Sequence, residues 1–497
     1  MINDPYRDLE SRFRRLGLLQ EASGFLSWDT DTMMPEGGAQ SRAEQQAALD
    51  VVCHGLLTGP DLPDLFAAAD AETGLDLWQS ANLREMHRAW IHATSVPADL
   101  VEASSRACSA CEMAWRKARP ANDYPSVRPL LQTVLDLARQ IGQAKAAKLG
   151  VSPYEALLDQ FEPGGRVKDI DPLFARLSEI LPGLIEDALA AQGARPAPLR
   201  PPGPFPVAAQ RAAGSALMEK LGFDFAHGRL DVSQHPFSGG TPDDVRITTR
   251  YDESDFARAL MAVLHETGHA LYTSGLPAAW RHQPVGEARG MSIHESQSLL
   301  MEMQLCRSRE FLVFAAPILR SCFGGSGPEW EAENLYRLGT RVARSFIRVD
   351  ADEVTYPAHV ILRYRLERAM IAGELGLKDL PAAWNEGMKS LLGVAPPDDR
   401  QGCLQDIHWY DGGFGYFPTY TLGAMTAAQL FDAAKRAPSV TRGIARGDFA
   451  PLVAWLRAHV HGLGSSVSTS EIIVRATGKP LDTDVFERHL RTRYLAA

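Results

Sequence analysis

Five consecutive residues carry the clearest chemistry in this sequence: His265-Glu266-Thr267-Gly268-His269. Residues four apart on an α-helix project from the same face, so the two imidazoles can bind one metal ion. Glu266 is rotated away from them, and its carboxylate can reach a metal-bound water instead of the metal. Only three of the five positions are fixed by this pattern, and chance matches are common. The motif therefore suggests a hydrolytic zinc site without establishing it.

Glu295, which lies 26 positions after His269, is the predicted third ligand. A catalytic zinc takes three protein ligands and keeps one position open. The intervening segment contains turn-forming glycines and prolines, so a helix beginning near Ile293 can return antiparallel and place Glu295 opposite the histidines. A buried acid in an apolar row is costly unless it is paired or bound to metal. The alternative is a helix N-terminal charge favoured by the helix dipole.

Two neighbours of Glu295 have competing interpretations. Glu302 lies on the same predicted helical face and could orient an imidazole, but we predict that its side chain is solvated. His294 could compete as a metal ligand. Because it faces a different direction from Glu295, we expect that it does not bind the ion.

The elements that must position these residues are predicted to be helices. Apolar residues recur at spacings of three and four in ten segments. These are residues 16–28, 41–57, 74–94, 99–119, 127–149, 171–189, 210–221, 255–274, 293–312 and 339–347. Ser254 is the predicted N-cap of the helix that carries the metal motif.

The stretch directly before that helix is predicted to be a small sheet. The β-leaning runs 229–233 and 245–251 flank a turn at residues 239–242, which predicts an antiparallel ribbon. Further upstream, the proline-rich stretch 193–206 predicts a stiff connector. We expect one catalytic unit over residues 1–497, with possible lobes at 1–192 and 207–497.

Composition and charge exclude several classes of function. The chain has 51 Lys and Arg residues against 61 Asp and Glu residues, and this acidic excess argues against binding nucleic acid. No stretch approaches 18 consecutive apolar residues and no secretory signal is recognisable, so no membrane association is expected. The six scattered cysteines suit a reducing compartment, and we expect a cytoplasmic protein.

The residues from His235 to Leu422 resemble the carboxypeptidase Taq family of zinc metallocarboxypeptidases. Six segments follow the family's pattern in order: His235-Pro236-Phe237, Asp244-Val245-Arg246-Ile247-Thr248, the 265–269 motif, His294-Glu295-Ser296, Ile347-Arg348-Val349-Asp350-Ala351-Asp352, and Gly402-Cys403-Leu404-Gln405-Asp406-Ile407-His408-Trp409. Weaker matches are Trp28-Asp29, Met34-Pro35-x-Gly37-Gly38, Arg42-Ala43-Glu44-Gln45 and residues 414–423. One such motif is weak, but six in order are hard to produce by accident.

The resemblance implies a mainly α fold, a large bundle-like helical body with a deep active-site groove and one small antiparallel sheet next to the zinc helix. It implies a homodimer and removal of C-terminal residues from peptides with broad specificity. It also implies one Zn²⁺ per chain, which Co²⁺ can replace. Its metal ligands correspond to His265, His269 and Glu295, and its catalytic acid/base corresponds to Glu266.

The same resemblance marks four substrate contacts: His235, Arg348, His408 and Tyr420. A guanidinium makes a two-pronged match with a free carboxylate, which suits Arg348 to the peptide's C-terminus. Alternatively, Arg348 is one cation on a basic helical face. Arg246 is either an alternative clamp or a salt-bridge partner of a nearby acid. Tyr420 and His408 are candidate donors to the oxyanion of the tetrahedral intermediate. The alternative for Tyr420 is a packed aromatic side chain whose hydroxyl finds a backbone partner.

The predicted function is a zinc-dependent metallocarboxypeptidase in which Glu266 activates the zinc-bound water. One rival is an endo-oligopeptidase or dipeptidyl carboxypeptidase, because related helical zinc peptidases share this ligand pattern. A more remote alternative is a helical scaffold with an inert metal motif. An uncoordinated acid beside the ligand histidines argues against the scaffold, since a structural zinc site has no use for it.

Overall fold

Residues 4–495 are described by the computed structural model and contain twenty α-helices and three short strands. The first nine helices are α1 (Pro5–Thr32), α2 (Ala39–Leu57), α3 (Leu62–Asp70), α4 (Leu77–Thr94), α5 (Ala98–Ala121), α6 (Tyr124–Leu149), α7 (Pro153–Leu158), α8 (Val167–Gly193) and α9 (Val207–Leu221). The strands follow as β1 (Gly228–Val232), β2 (Ser238–Thr241) and β3 (Asp244–Thr249). The other helices are α10 (Phe256–Ser274), α11 (Met291–Leu299), α12 (Arg309–Phe323), α13 (Ala332–Gly339), α14 (Tyr356–Ala372), α15 (Leu380–Leu392), α16 (Pro418–Ala434), α17 (Pro438–Ile444), α18 (Ala450–His459), α19 (Thr469–Thr477) and α20 (Thr483–Tyr494). Residues 1–3 and 496–497, the ends of the predicted unit 1–497, lie outside the described residues.

The mainly helical fold is confirmed, and one large cluster of buried side chains joins helices from α5 to α20. Phe174 of α8 and Leu430 of α16 both belong to it. Phe205, in the predicted connector 193–206, enters the same core and lies 4.9 Å from Phe256 of α10, ring centre to ring centre. A second cluster joins α1 to α4. Both sides of the connector therefore share one core, and the division into two lobes stays a prediction, as does the groove.

The predicted helix over residues 339–347 is wrong. α13 ends where that prediction begins, and the backbone N–H groups that follow bond to side chains elsewhere in the chain. The N–H of Val342 donates to Gln192 Oε1 at 2.9 Å, and the N–H of Ala343 donates to Asp352 Oδ2 at 2.9 Å. N–H groups bonded in this way are not free to make the bonds that would continue the helix.

The predicted single helix over residues 293–312 is interrupted. α11 continues as a π-helical segment, Leu300–Cys306, and α12 then begins separately. Ser308 is the N-cap of α12, because its hydroxyl accepts a hydrogen bond from the N–H of Phe311 at 3.2 Å. Among residues 4–495, no helix combines the length and hydropathy needed to cross a membrane.

The helix α10 that carries the metal motif forms as predicted, but its N-cap is Asp255. The Asp255 carboxylate accepts a hydrogen bond from the N–H of Ala257 at 3.1 Å. Ser254, the predicted cap, instead donates its hydroxyl proton to Asp252 Oδ1 at 2.7 Å.

The small sheet beside α10 is confirmed, but its strand pairing differs from the prediction. β3 is the central strand, and β1 pairs with it in parallel, with Leu230 opposite Ile247. The antiparallel ribbon predicted between runs 229–233 and 245–251 is therefore wrong. The antiparallel partner of β3 is β2, which forms from the residues taken as a turn. Buried side chains of β3 pack with Val263 of α10, so the sheet supports one face of that helix.

Candidate metal centre

Two glycines bring three helices together at the site. A Cβ on Gly268 of α10 would lie 2.4 Å from the carbonyl oxygen of Gln297 and 2.6 Å from the Cα of Ser298. A Cβ on Gly423 of α16 would lie 2.9 Å from both Cβ and Cγ of Glu295. Only a residue without a side chain permits such close approaches. α11 is therefore packed against both α10 and α16.

The structure brings the three predicted ligand side chains together. The Oε2 atom of Glu295 lies 3.5 Å from Nε2 of His269 and 3.8 Å from Nε2 of His265. One donor atom from each of the three residues falls within 4.8 Å of the other two. Glu295 is only 8% exposed. Among the described residues, this is the group of His, Cys, Asp and Glu side chains whose spacing suits a metal ion.

The second nitrogen of His265 is held by Glu302. His265 Nδ1 donates to Glu302 Oε2 at 3.0 Å, and Arg307 donates to Glu302 Oε1 at 2.7 Å. Glu302 is buried, so the prediction that its side chain is solvated is wrong. A carboxylate behind a ligand histidine fixes the tautomer and orientation of the ring. The lone pair of Nε2 is thereby directed toward Glu295.

The second nitrogen of His269 contacts His294 instead of a carboxylate. The two Nδ1 atoms are 2.7 Å apart. If Nε2 of His269 offers its lone pair to a cation, its Nδ1 carries the proton and donates to His294. His294 then acts as a neutral acceptor.

The electrostatics of this pocket favour a positive charge. Burial acts to lower the pKa of His265, but the nearby carboxylates of Glu295, Glu302 and Glu266 outweigh burial and raise that pKa to about 10. Burial acts to raise the pKa of Glu295, and the facing imidazoles of His265 and His269 outweigh burial and lower it to about 2. A buried group of three carboxylates around two imidazoles therefore calls for a cation.

A zinc ion fits this donor set. Two imidazole nitrogens and a carboxylate oxygen are ordinary zinc ligands, and bonds of about 2.0–2.2 Å in a tetrahedral arrangement separate ligand atoms by roughly 3.3–3.5 Å. The observed separations of 3.5 and 3.8 Å from the Glu295 oxygen are within a few tenths of an ångström of that range.

Glu266 is buried next to this group but is not one of its three members. Burial raises the pKa of its carboxyl group, and the neighbouring imidazoles of His265 and His269 oppose that rise. A carboxylate with a raised pKa beside the ligands suits proton transfer.

Tyr420 and His408 contact each other, and Tyr420 lies near the carboxylate of Glu295. Tyr420 lies one turn before Gly423 on α16 and shares its face toward α11. Its hydroxyl is 3.2 Å from Nε2 of His408. Burial raises the pKa of Tyr420 to about 12, with Arg348 opposing and Glu295 adding to the rise, so the phenol keeps its proton at neutral pH. Burial lowers the pKa of His408 to about 4, so its imidazole is neutral.

Arg348 packs beneath Tyr420, with its guanidinium carbon 4.8 Å from the ring centre. Its Nε and Nη2 atoms donate to Asp406 Oδ1 at 3.1 and 2.9 Å, and its Nη1 donates to the Tyr356 hydroxyl at 3.2 Å. Asp406 also accepts from Arg363 Nε at 2.6 Å. Arg348 is buried in a short 3₁₀ turn, so the alternative of a cation on a basic helical face is wrong.

The two remaining sequence candidates lie in the sheet and in a loop that joins two of its strands. Arg246 of β3 makes a two-pronged ion pair with Asp244 and stacks 4.8 Å from the ring of Trp28, which agrees with a salt-bridge role. His235 is exposed on the loop between β1 and β2. Its carbonyl oxygen accepts a hydrogen bond from Ser233 Oγ at 2.6 Å.

Sequence reasoning missed several residues that organise the site. Asp406 lies in the segment 402–409, but its residue type and position do not predict that it holds Arg348. The packing roles of Gly268 and Gly423 are likewise absent from the predicted site. A glycine inside a helical motif is a recognisable sign of close helix packing, and Gly268 carries that sign in the sequence.

Comparison with known proteins identifies the relatives of this chain. A family model described as carboxypeptidase Taq (M32) metallopeptidase matches residues 8–494. Thermostable carboxypeptidase 1 of Thermus thermophilus is 38% identical over 508 aligned positions, covering 99% of this chain and 98% of the relative. Among solved structures, metallocarboxypeptidase 1 of Trypanosoma cruzi is similar with a TM-score of 0.97 at 40% identity, and the M32 carboxypeptidase of Deinococcus radiodurans R1 with 0.93 at 35%, each covering 99% of both chains. The resemblance inferred from the motifs is confirmed.

Proposed function

The chain belongs to the carboxypeptidase Taq (M32) family of metallopeptidases, and on this premise we propose that a zinc ion held by His265, His269 and Glu295 serves the removal of C-terminal residues from peptides. The relatives that are named carboxypeptidases align with this chain over nearly their full length. The choice of zinc over another divalent cation, the broad specificity and the role given to each side chain are parts of this proposal.

One observation carries the proposal. Two imidazoles and one carboxylate converge from α10 and α11, and Glu266 is buried beside them without joining them. Structural zinc sites are closed by four protein ligands, whereas catalytic sites use three and keep an acid or base nearby. The arrangement therefore supports an enzyme over an inert scaffold.

Glu266 is the proposed acid/base. When bound, zinc polarises the scissile carbonyl and makes water more acidic. Glu266 accepts a proton from the attacking water and returns it to the leaving amine. The burial that raises its pKa helps it to hold the proton between these two steps.

Tyr420 is the proposed donor to the oxyanion of the tetrahedral intermediate. Its raised pKa keeps the phenol protonated. If the Nε2–H group of His408 donates to the phenol oxygen, the phenol proton is left free to point toward the substrate. His408 then orients Tyr420 as well as lining the pocket.

Arg348 is the proposed clamp for the substrate's C-terminal carboxylate. A guanidinium has five N–H groups, and the bonds to Asp406 and Tyr356 use three of them. Arg348 and Arg363 also share the single carboxylate of Asp406, so this buried group keeps a net positive charge. A peptide carboxylate would neutralise that charge, which suits an exopeptidase.

His235 is a proposed substrate contact of a different kind. Its imidazole is exposed on the loop leading into β2, and the sheet packs against the helix that carries the metal motif. His235→Ala should raise KM with little change in kcat, because the residue contributes to binding and not to proton transfer. A fall in kcat at unchanged KM would argue against this role.

The test is a time course on a short free-acid peptide, read by mass spectrometry, with metal-free protein and after addition of Zn²⁺ or Co²⁺. We expect no cleavage without metal, and single residues leaving the C-terminus after either ion is added. Dipeptides or internal fragments would favour the dipeptidyl carboxypeptidase or endo-oligopeptidase alternative. Full activity of protein shown to contain no metal would refute the proposal.

We also propose a cytoplasmic homodimer. The homodimer rests on the family resemblance alone. The six cysteines are all free thiols, which suits a reducing compartment. Analytical ultracentrifugation would test the assembly, and a sedimenting mass of one chain across the micromolar range would contradict it.

A further inference from the structure

The π-helical segment Leu300–Cys306 needs bonding partners from outside itself. π-helical turns are rare and short, and they are often found at functional sites. The last carbonyl groups of any helix lack donors from a following turn. Here the π-helical segment ends before α12 begins, so the carbonyl groups of Met303 and Gln304 must find donors elsewhere.

Arg493 of α20 supplies those donors. Its Nη1 atom donates to the Met303 carbonyl oxygen, and its Nη2 atom donates to the Gln304 carbonyl oxygen at 2.9 Å. Nη1 also donates to Glu353 Oε2 at 3.0 Å. The Arg493 side chain is only 8% exposed, so these bonds form away from bulk water.

Glu353 is the centre of the network around Arg493. Its Oε1 atom accepts from Gln304 Nε2 at 2.8 Å and from His489 Nε2 at 2.8 Å. Its Oε2 atom accepts from the Tyr494 hydroxyl at 2.9 Å, in addition to Arg493. One buried carboxylate therefore ties the π-helical segment to three side chains of α20.

This network is adjacent along the chain to a residue that contacts the candidate metal site. Met303 and Gln304 directly follow Glu302, whose carboxylate accepts from Nδ1 of His265. Because a π-helical turn closes over five residues instead of four, Glu302 lies at a different angle around the helix axis from the one that a regular α-helix would give it. Along the observed path, the carboxylates of Glu295 and Glu302 face opposite nitrogens of the His265 ring.

We propose that Arg493, bonded to Glu353, is a positioning residue of the metal centre: it holds the π-helical path that delivers Glu302 to His265. This inference rests on the proposed function, because it treats His265 as a metal ligand. α20 is thereby coupled to metal binding, although it contributes no ligand.

The experiment measures the zinc dissociation constant by competition with a chromophoric chelator. Arg493→Met, which keeps an unbranched apolar stem and loses the guanidinium donors, should raise the zinc Kd by roughly 10-fold, in the range seen when partners behind metal ligands are removed. Arg493→Lys should fall between wild type and Arg493→Met, because one ammonium group cannot replace both guanidinium donors. The matched control is Arg491→Met: Arg491 is exposed on the same helix and donates to Glu487 on that helix, so its Kd should stay within about 2-fold of wild type.

A coupling measurement separates positioning from general stability. In a Glu302→Gln background, Arg493→Met should raise the zinc Kd by less than about 2-fold more, because residues acting through one contact are not additive. An equal effect in both backgrounds, or a wild-type Kd for Arg493→Met, would overturn the inference. If Arg493→Met does not fold by circular dichroism, a wild-type Kd for Arg493→Lys would overturn it in the same way.

The two proposals fail differently. Wild-type protein that binds no zinc, or that binds zinc and cleaves no peptide, refutes the proposed function. Wild-type protein that binds zinc and cleaves normally, with a Kd insensitive to Arg493, refutes only the positioning role.

Discussion

The close approach of α10 and α11 at Gly268 predicts a specific effect of Gly268→Ala. The added Cβ would lie 2.4 Å from the Gln297 carbonyl oxygen, whereas the closest ordinary carbon–oxygen contacts are about 3.3 Å. The obstacle is backbone and cannot rotate away, so the two helices must separate by about 1 Å. Glu295 lies two residues before Gln297 and moves with α11.

Two opposing effects decide the change in stability. Alanine is favoured over glycine inside a helix by about 1 kcal/mol. Overpacking costs about 1–3 kcal/mol, and contact with rigid backbone puts this case toward the upper end. The metal-free Gly268→Ala protein should therefore lose about 1–2 kcal/mol of unfolding free energy.

The effect on the site should be much larger than the effect on stability. Metal–ligand distances tolerate only about 0.2 Å, so a shift of about 1 Å moves the Glu295 oxygen out of coordination range. Misplacement of that size costs roughly 100-fold in rate. Zinc affinity and kcat should both fall by about that factor while the fold persists.

Gly214→Ala is the matched control. Gly214 is a buried helical glycine on α9, and an added Cβ would lie 3.5 Å from Val263 Cγ1, an ordinary contact. This variant should keep its zinc affinity and kcat and should gain up to about 1 kcal/mol in stability. The assays are chelator competition, initial rates on a free-acid peptide and urea unfolding of the metal-free protein. Wild-type zinc affinity and kcat in Gly268→Ala would refute the reasoning. If Gly268→Ala does not fold, wild-type values in Gly423→Ala would refute it as well.

Four further predictions concern the site and its surroundings. Complete chelation should abolish peptide cleavage and added Zn²⁺ should restore it, since the carbonyl and water lose their activation; cleavage that persists would contradict this. Glu266→Gln should keep stoichiometric zinc and lose roughly 10²–10⁴-fold in kcat, whereas loss of zinc as well would mean that its role is misassigned. Arg348→Ala should slow cleavage of free-acid peptides far more than of C-terminally amidated ones, and equal losses would exclude the clamp. Burial raises the pKa of the Glu367 carboxyl group from its ordinary value of 4.5 to about 7. The stabilising contribution of protonated Glu367 is therefore complete below pH 4.5 and is lost as the pH rises through 7. Between pH 4 and pH 8, the free energy of unfolding in urea should fall by about 3 kcal/mol less for Glu367→Gln than for wild type, and an identical fall in both proteins would contradict the assignment.

Much of the helical framework could be predicted because its physical cause is local. Amphipathic spacing and terminal residues act within a few turns, so helices such as α6 and α10 were found close to their observed bounds. The failures have non-local causes. The stretch after α13 has helix-compatible spacing, but Gln192 and Asp352 take its N–H groups. The pairing of β1 with β3 depends on how the chain passes around β2, and strand spacing does not encode that path.

The same distinction explains the candidate site. The spacing of His265 and His269 follows from helix geometry, and the position of Glu295 follows from the turn-containing segment that lets the next helix return. The structure brings these three side chains together. Glu302 lies on the same predicted helical face as Glu295, but the prediction that its side chain is solvated is wrong. Its actual position follows from a π-helical path held by Arg493, a residue 190 positions away from the carbonyl that it bonds. An interaction over that distance leaves no periodic trace in the sequence. The residues that could bind the metal were therefore predictable from their spacing along the chain, whereas the residues that orient them were not. Experiments on Arg493 and Glu302 test what that spacing alone could not predict.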